Sequence, residues 1–105
     1  MGLDAIIYDK SEQQIASLRI GNISQVAFLR GIASSVLGEQ SVVVSKILFS
    51  GSHSGDSLTF DELEPLASEL HRLEVASDAD LQEFARGMLE LVHTALKHER
   101  PICFV

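Results

Sequence analysis

Apolar and polar residues alternate at the start of this chain and then change period. In "GLDAIIYD" Leu3, Ala5 and Ile7 share one face, the spacing of a half-buried strand. "DKSEQQ" reads as a polar turn, and "IASLRIG" alternates again with Ala16, Leu18 and Ile20 on a single side. Together these predict an N-terminal hairpin whose second strand ends at Gly21 and Asn22. From Ser24, the expected N-cap, the spacing lengthens to three and four through Val26, Leu29, Ile32, Ala33 and Val36, with Gly38 as the stop. The next segment, "SVVVSKILF", fits a strand or a short helix, and its β-branched triple favours the strand.

Thr59 opens a second helix with Glu62 three residues on, the spacing of a reciprocal capping box. Leu63, Leu66, Ala67, Leu70 and Leu73 supply its apolar stripe. Pro65 falls late for a first-turn proline, so the start shifts or the helix bends. A third helix begins near Ser77 or Asp78. It carries Leu81, Phe84, Ala85, Met88, Leu91, Val92, Ala95 and Leu96 on one broad face, and Pro101 stops it. "ICFV" then reads as a final strand. The expected fold is α+β, one domain over residues 1–105. A small antiparallel sheet, the N-terminal hairpin plus the C-terminal strand, is packed by a first helix and two longer helices.

Composition sharpens this picture in a few places. With 46% apolar and 22% charged residues the chain is globular in type, and five Phe, one Tyr and no Trp leave a mainly aliphatic core. No apolar run approaches a membrane span, and no basic region followed by an apolar stretch marks a leader. A lone cysteine forms no internal disulfide, so the expected setting is the cytoplasm.

Net charge is −7, and it is regional. Residues 56–90 hold ten acids against Arg72 and Arg86, while the preceding half is neutral. Such a field repels nucleic-acid phosphates and attracts basic proteins. The same density of carboxylates also serves a solvated, solubilising helix face.

The glycine- and hydroxyl-rich stretch "SGSHSGDSLTFDELEPL" is the first candidate for chemistry. Set as a calcium loop with Leu58 at position 8, the stretch places Glu62 at 12 and Thr59 at 9. The ligand positions before them hold Gly51, His53 and Gly55, and Asp56 stands where the glycine belongs. As a phosphate cradle it lacks the lysine after its second glycine. Ser52, Ser54 and Ser57 lie near His53 without a nucleophile elbow. Cys103 sits in apolar "PICFV", the setting of a buried structural thiol. His93 and His98 are five apart on one helix and diverge, and the Glu90–His93 pair has no second copy. No catalytic set, metal site or cofactor is therefore expected.

"MGLDAIIYD", "ASLRIGN" and "SQVAFLRGI" resemble a group of small bacterial proteins that open on Met-Gly-Leu-Asp. They carry a His-Ser-Asp-Cys-Asp-Gly type loop before an acidic helix start, the counterpart of "GSHSGDSLTFDEL" here. The group implies no activity. Its aspartates at the ligand positions are Gly51, His53 and Gly55 in this chain, so a cation role in relatives is not carried over. Immunity proteins of contact-dependent and colicin-like toxins are similar in size, acidity and lack of catalytic apparatus.

The leading expectation is a small acidic cytoplasmic module of immunity type, binding a basic protein partner such as a toxin nuclease domain, with no nucleic acid and no membrane. Asp56, Asp61, Glu62, Glu64, Glu69 and Glu74 are its candidate interface carboxylates. Two alternatives stay open. One is a metal-dependent or hydrolytic enzyme using His53, Asp56 and Glu62. The other is a structural or regulatory homo-oligomer pairing through "PICFV" or the edge of the hairpin.

Overall fold

A computed structural model describes residues 2–49 and 57–105. The two opening strands, β1 (Gly2–Tyr8) and β2 (Gln14–Asn22), pair as the alternation requires. Asp9 organises the turn between them. Its Oδ1 accepts from the Ser11 N–H at 2.8 Å and the Gln13 N–H at 2.9 Å. At the far end of the chain β4 (Ile102–Phe104) lies antiparallel beside β1, with Ala5 opposite Phe104 and Ile6 opposite Cys103. A short fourth strand, β3 (Ser57–Leu58), pairs with β4, giving the order β2-β1-β4-β3 with every neighbour antiparallel.

One face of this sheet is fully buried: Leu3, Ala5, Ile7, Leu58, Ile102 and Phe104 point into the core. The opposite face carries half-buried Ile6, Tyr8 and Cys103 with an Arg19–Asp4 ion pair at 2.9 Å. Cys103 is thus half-buried on the outer face, not enclosed as expected, because alternation assigns the two inward places of β4 to Ile102 and Phe104.

Of the three α-helices among the described residues, α1 (Ile23–Leu37) and α3 (Ala79–His98) pack against the inner face, and α2 (Leu63–Glu74) packs along α3. The α+β architecture is as expected, but only α3 is longer than α1. At 12 residues α2 is shorter than the 15 of α1, since a 3₁₀ turn at Phe60–Glu62 takes up its approach. That turn moves the α-helical start to Leu63 and leaves Pro65 in the first turn, where its missing N–H costs nothing. Thr59 does open the segment, its N–H and hydroxyl both donating to Glu62 Oε1 at 3.0 Å.

The start of α1 differs from expectation. Asn22, not Ser24, is the N-cap, accepting from the Gln25 N–H at 2.8 Å while Gln25 Oε1 accepts from the Asn22 N–H at 2.8 Å. Ser24 has no glutamine or glutamate three residues on, and Asn22 does. Gly21, at φ 152°, leaves the room Gln25 needs to fold back; a Cβ there would lie 2.8 Å from its side chain.

Residues 41–49 are helical rather than extended, with a π-type turn at Val43–Ile47. Val43, Val44, Ile47 and Leu48 all reach the core, a spacing that only a helical backbone turns to one side. Its N-terminus is capped from another element. Glu69 of α2 accepts from the Val42 N–H through Oε2 and the Val43 N–H through Oε1, each at 2.9 Å. The β-branched preference is overridden by burial and by this carboxylate.

Asp78 caps α3, accepting from the Leu81 N–H at 2.9 Å. The Val75–Asp78 connection is short, and α3 packs back along α2 as an antiparallel neighbour. At its other end Glu99 adopts the left-handed conformation, φ 55°, and Arg100 Nε donates to the Tyr8 carbonyl at 2.8 Å, tying the helix end to β1. Among the described residues no helix is long and apolar enough to cross a membrane.

Candidate functional site

Folding disperses the acidic stretch. Asp56, like His53, lies outside the described residues. Glu69 is turned inward as the cap of the Val43–Ile47 turn. Glu62 is folded back on Thr59 and also stands 3.9 Å from Lys46 Nζ. Glu74 Oε1 is 3.0 Å from His71 Nδ1. Of the six candidate carboxylates, Asp61 and Glu64 remain: both are exposed, with no ion pair among the described residues. They sit at the start of α2, and the antiparallel hairpin puts the start of α3 at the opposite end, about 18 Å of helix away.

At that opposite end lies a feature outside the six expected carboxylates. A groove of about 430 Å³ opens between β2, α1 and α3. Leu18 and Ile20 of β2, Phe28 and Leu29 of α1 and Phe84 of α3 give it an apolar lining. Its polar edge is Arg19, Ser24, Gln25, Asp80 and Glu83. Phe28 is 53% exposed, so this flank of α1 offers a large apolar side chain to solvent.

Charges around the groove do not cancel. The Arg19 guanidinium is committed to Asp4 on the outer face of the sheet. Asp80 and Glu83 are exposed and have no ion-pair partner among the described residues. The groove edge therefore presents net negative charge beside aromatic surface. That combination suits an apolar side chain flanked by cations.

Two weak signals in the sequence pointed here. Phe28 falls off the Val26–Leu29–Ala33 stripe, so a large aromatic had to lie on the flank of α1. Asp80 and Glu83 belong to the same acid-rich stretch as the six candidate carboxylates, in its second half. Which of those carboxylates would face the same hollow as Phe28 depends on how α3 crosses β2, and no local pattern encodes that.

Among the described residues no three His, Cys, Asp or Glu side chains gather as a metal site. His71 is engaged with Glu74. A scan of family models, a search of curated proteins and a search of solved structures each return no match for this chain.

Proposed function

We propose that this chain is a protein-binding module of immunity type, taking a basic partner such as a toxin domain. The observation that carries the reading is the groove. An apolar lining containing exposed Phe28 is edged by Asp80 and Glu83, two carboxylates with no ion-pair partner among the described residues. Interface cores favour aromatic anchors, and unpaired rim charge gives orientation and on-rate. Asp61 and Glu64, at the other end of the helical hairpin, add to the long-range field that steers a cation-rich surface.

The test is capture from cells with three baits: the wild type, D61K/E64K and D80K/E83K. The reading expects a basic protein held by the wild type and lost with D80K/E83K. With D61K/E64K the same protein is held, but its association at low salt is slower. Capture by all three forms at the same rate overturns the reading.

A further inference from the structure

The groove does not end at Phe84. Along the inner side of β2 it is followed by a second hollow of about 160 Å³, lined by Ala16, Ser17, Gly87, Glu90 and Thr94. The two are separated where Gly87 of α3 meets Leu18, so near that a Cβ would stand 3.0 Å from Leu18 Cδ1. Leu18 lines both hollows, so they form a trough between β2 and α3 that is interrupted at this contact.

The α3 side of this trough has a regular composition. Asp80, Glu83, Gly87, Glu90 and Thr94 recur at spacings of three and four, so they form one stripe of the helix. Three of the five are carboxylates, all exposed. Arg86, on the adjoining flank, makes no ion pair among the described residues.

The strand side is an open edge. Among the described residues β2 pairs with β1 alone, so its far side presents backbone donors and acceptors to solvent. Irregularities in register at Leu3/Asp4 and Ile7/Tyr8 bracket the edge and leave Ala16–Arg19 as its regular stretch.

An unpaired strand edge, a trough beneath its inner side and an acidic wall above the trough coincide. We propose that β2 receives an extended basic segment of the partner as a fifth strand. This rests on the reading that the partner is basic, and it adds the mode of recognition. Backbone hydrogen bonds to Ala16–Arg19 supply pairing, and alternate side chains of the segment enter the trough. A large apolar side chain fills the hollow between Phe28 and Phe84. A lysine or arginine further along the same face reaches Glu90 in the smaller hollow. A second copy of this chain is disfavoured as the occupant. Pairing β2 with β2 would bring two stripes of Asp80, Glu83 and Glu90 together across the junction, like charge against like.

The experiment uses the full chain and three capped synthetic peptides at low salt. One is an extended β-branched peptide with a phenylalanine and an arginine on one face. The second is the same peptide N-methylated at alternate backbone nitrogens. The third is an amphipathic helical peptide of equal charge. Strand addition expects the first peptide to bind and to slow hydrogen exchange at amides within Ala16–Arg19. N-methylation should weaken it at least about tenfold by deleting backbone donors. Because Glu83 and Glu90 are exposed, E83Q/E90Q keeps the fold, checked by circular dichroism, and weakens the first peptide about three- to tenfold.

Equal binding of the plain and N-methylated peptides, or tighter binding of the helical one, overturns strand addition and leaves the basic-partner reading standing. Failure of all three peptides overturns both. A dimer of the free chain in sedimentation velocity, with the β2 amides already protected, overturns the proposal in favour of self-pairing.

Discussion

Glu69→Ala should be among the most damaging single changes at a partly exposed position of this protein. Among the described residues the side chain pairs with no cation. It accepts two backbone N–H groups, from Val42 and Val43, at the open end of a helical turn that carries four core residues. Each hydrogen bond to a charged acceptor contributes about 1.5–3 kcal/mol when its loss leaves the partner unsatisfied. The site is only part-buried, so water recovers some of that, and about 2–4 kcal/mol is expected for the pair. Against a total stability of about 5–15 kcal/mol this is a large share. With an unfolding entropy near 2 cal/mol/K per residue, a chain of this length should lose about 10–18 °C in Tm. Thermal and urea unfolding measure it directly. Glu69→Gln, which keeps one acceptor, should fall about midway. The neighbouring D61N and E64Q, whose carboxylates have no ion-pair partner among the described residues, should shift stability by less than about 0.5 kcal/mol. A Glu69→Ala variant within about 2 °C of wild type would refute the capping role and return Glu69 to the pool of surface carboxylates.

Other expectations follow from single contacts. Gly31 sits within α1 with nothing near its missing Cβ, so Gly31→Ala should stabilise by about 0.5–1 kcal/mol. Gly87→Ala gains the same helix propensity but presses on Leu18, so urea titration should show a smaller gain or a loss. Asn22→Ala removes the helix cap and should cost about 1 kcal/mol, whereas Ser24→Ala should change little; equal effects would contradict the observed cap. Arg100→Ala releases the Tyr8 carbonyl and should cost about 1–2 kcal/mol, with faster exchange of β1 and β4 amides, and Arg100→Lys should not restore it.

The hairpin, the C-terminal strand, most of the core stripes of the three helices and the Thr59–Glu62 start were legible in the sequence because each is a local pattern, whereas Val36, expected on the α1 stripe, is exposed. A period of two or of three to four turns one set of residues inward whatever packs against it. Leu3, Ala5 and Ile7, or Leu63, Leu66, Leu70 and Leu73, are buried as their spacing requires. Even the shifted start of α2 was announced by the position of Pro65. Local preference failed at residues 41–49, where Val42, Val43 and Val44 favour a strand in isolation. The deciding carboxylate there is Glu69, more than twenty residues away in sequence.

The same distinction governs the functional surface. Sequence alone determined that the chain is acidic and that its acids crowd into residues 56–90. It treated them as one face, because neighbours in sequence are the only neighbours a sequence displays. Tertiary structure separated them. Glu62, Glu69 and Glu74 are drawn into a helix start, a cap and a histidine pair, while Asp61 and Glu64 stand at one end of the helical hairpin. Asp80, Glu83 and Glu90 are instead aligned over the open edge of β2 by the crossing of α3 at Gly87 and Leu18. Composition sets how much charge a surface carries. Which carboxylates remain unpaired, and which hollow they overlook, depends on contacts between distant segments, and only the folded chain makes those.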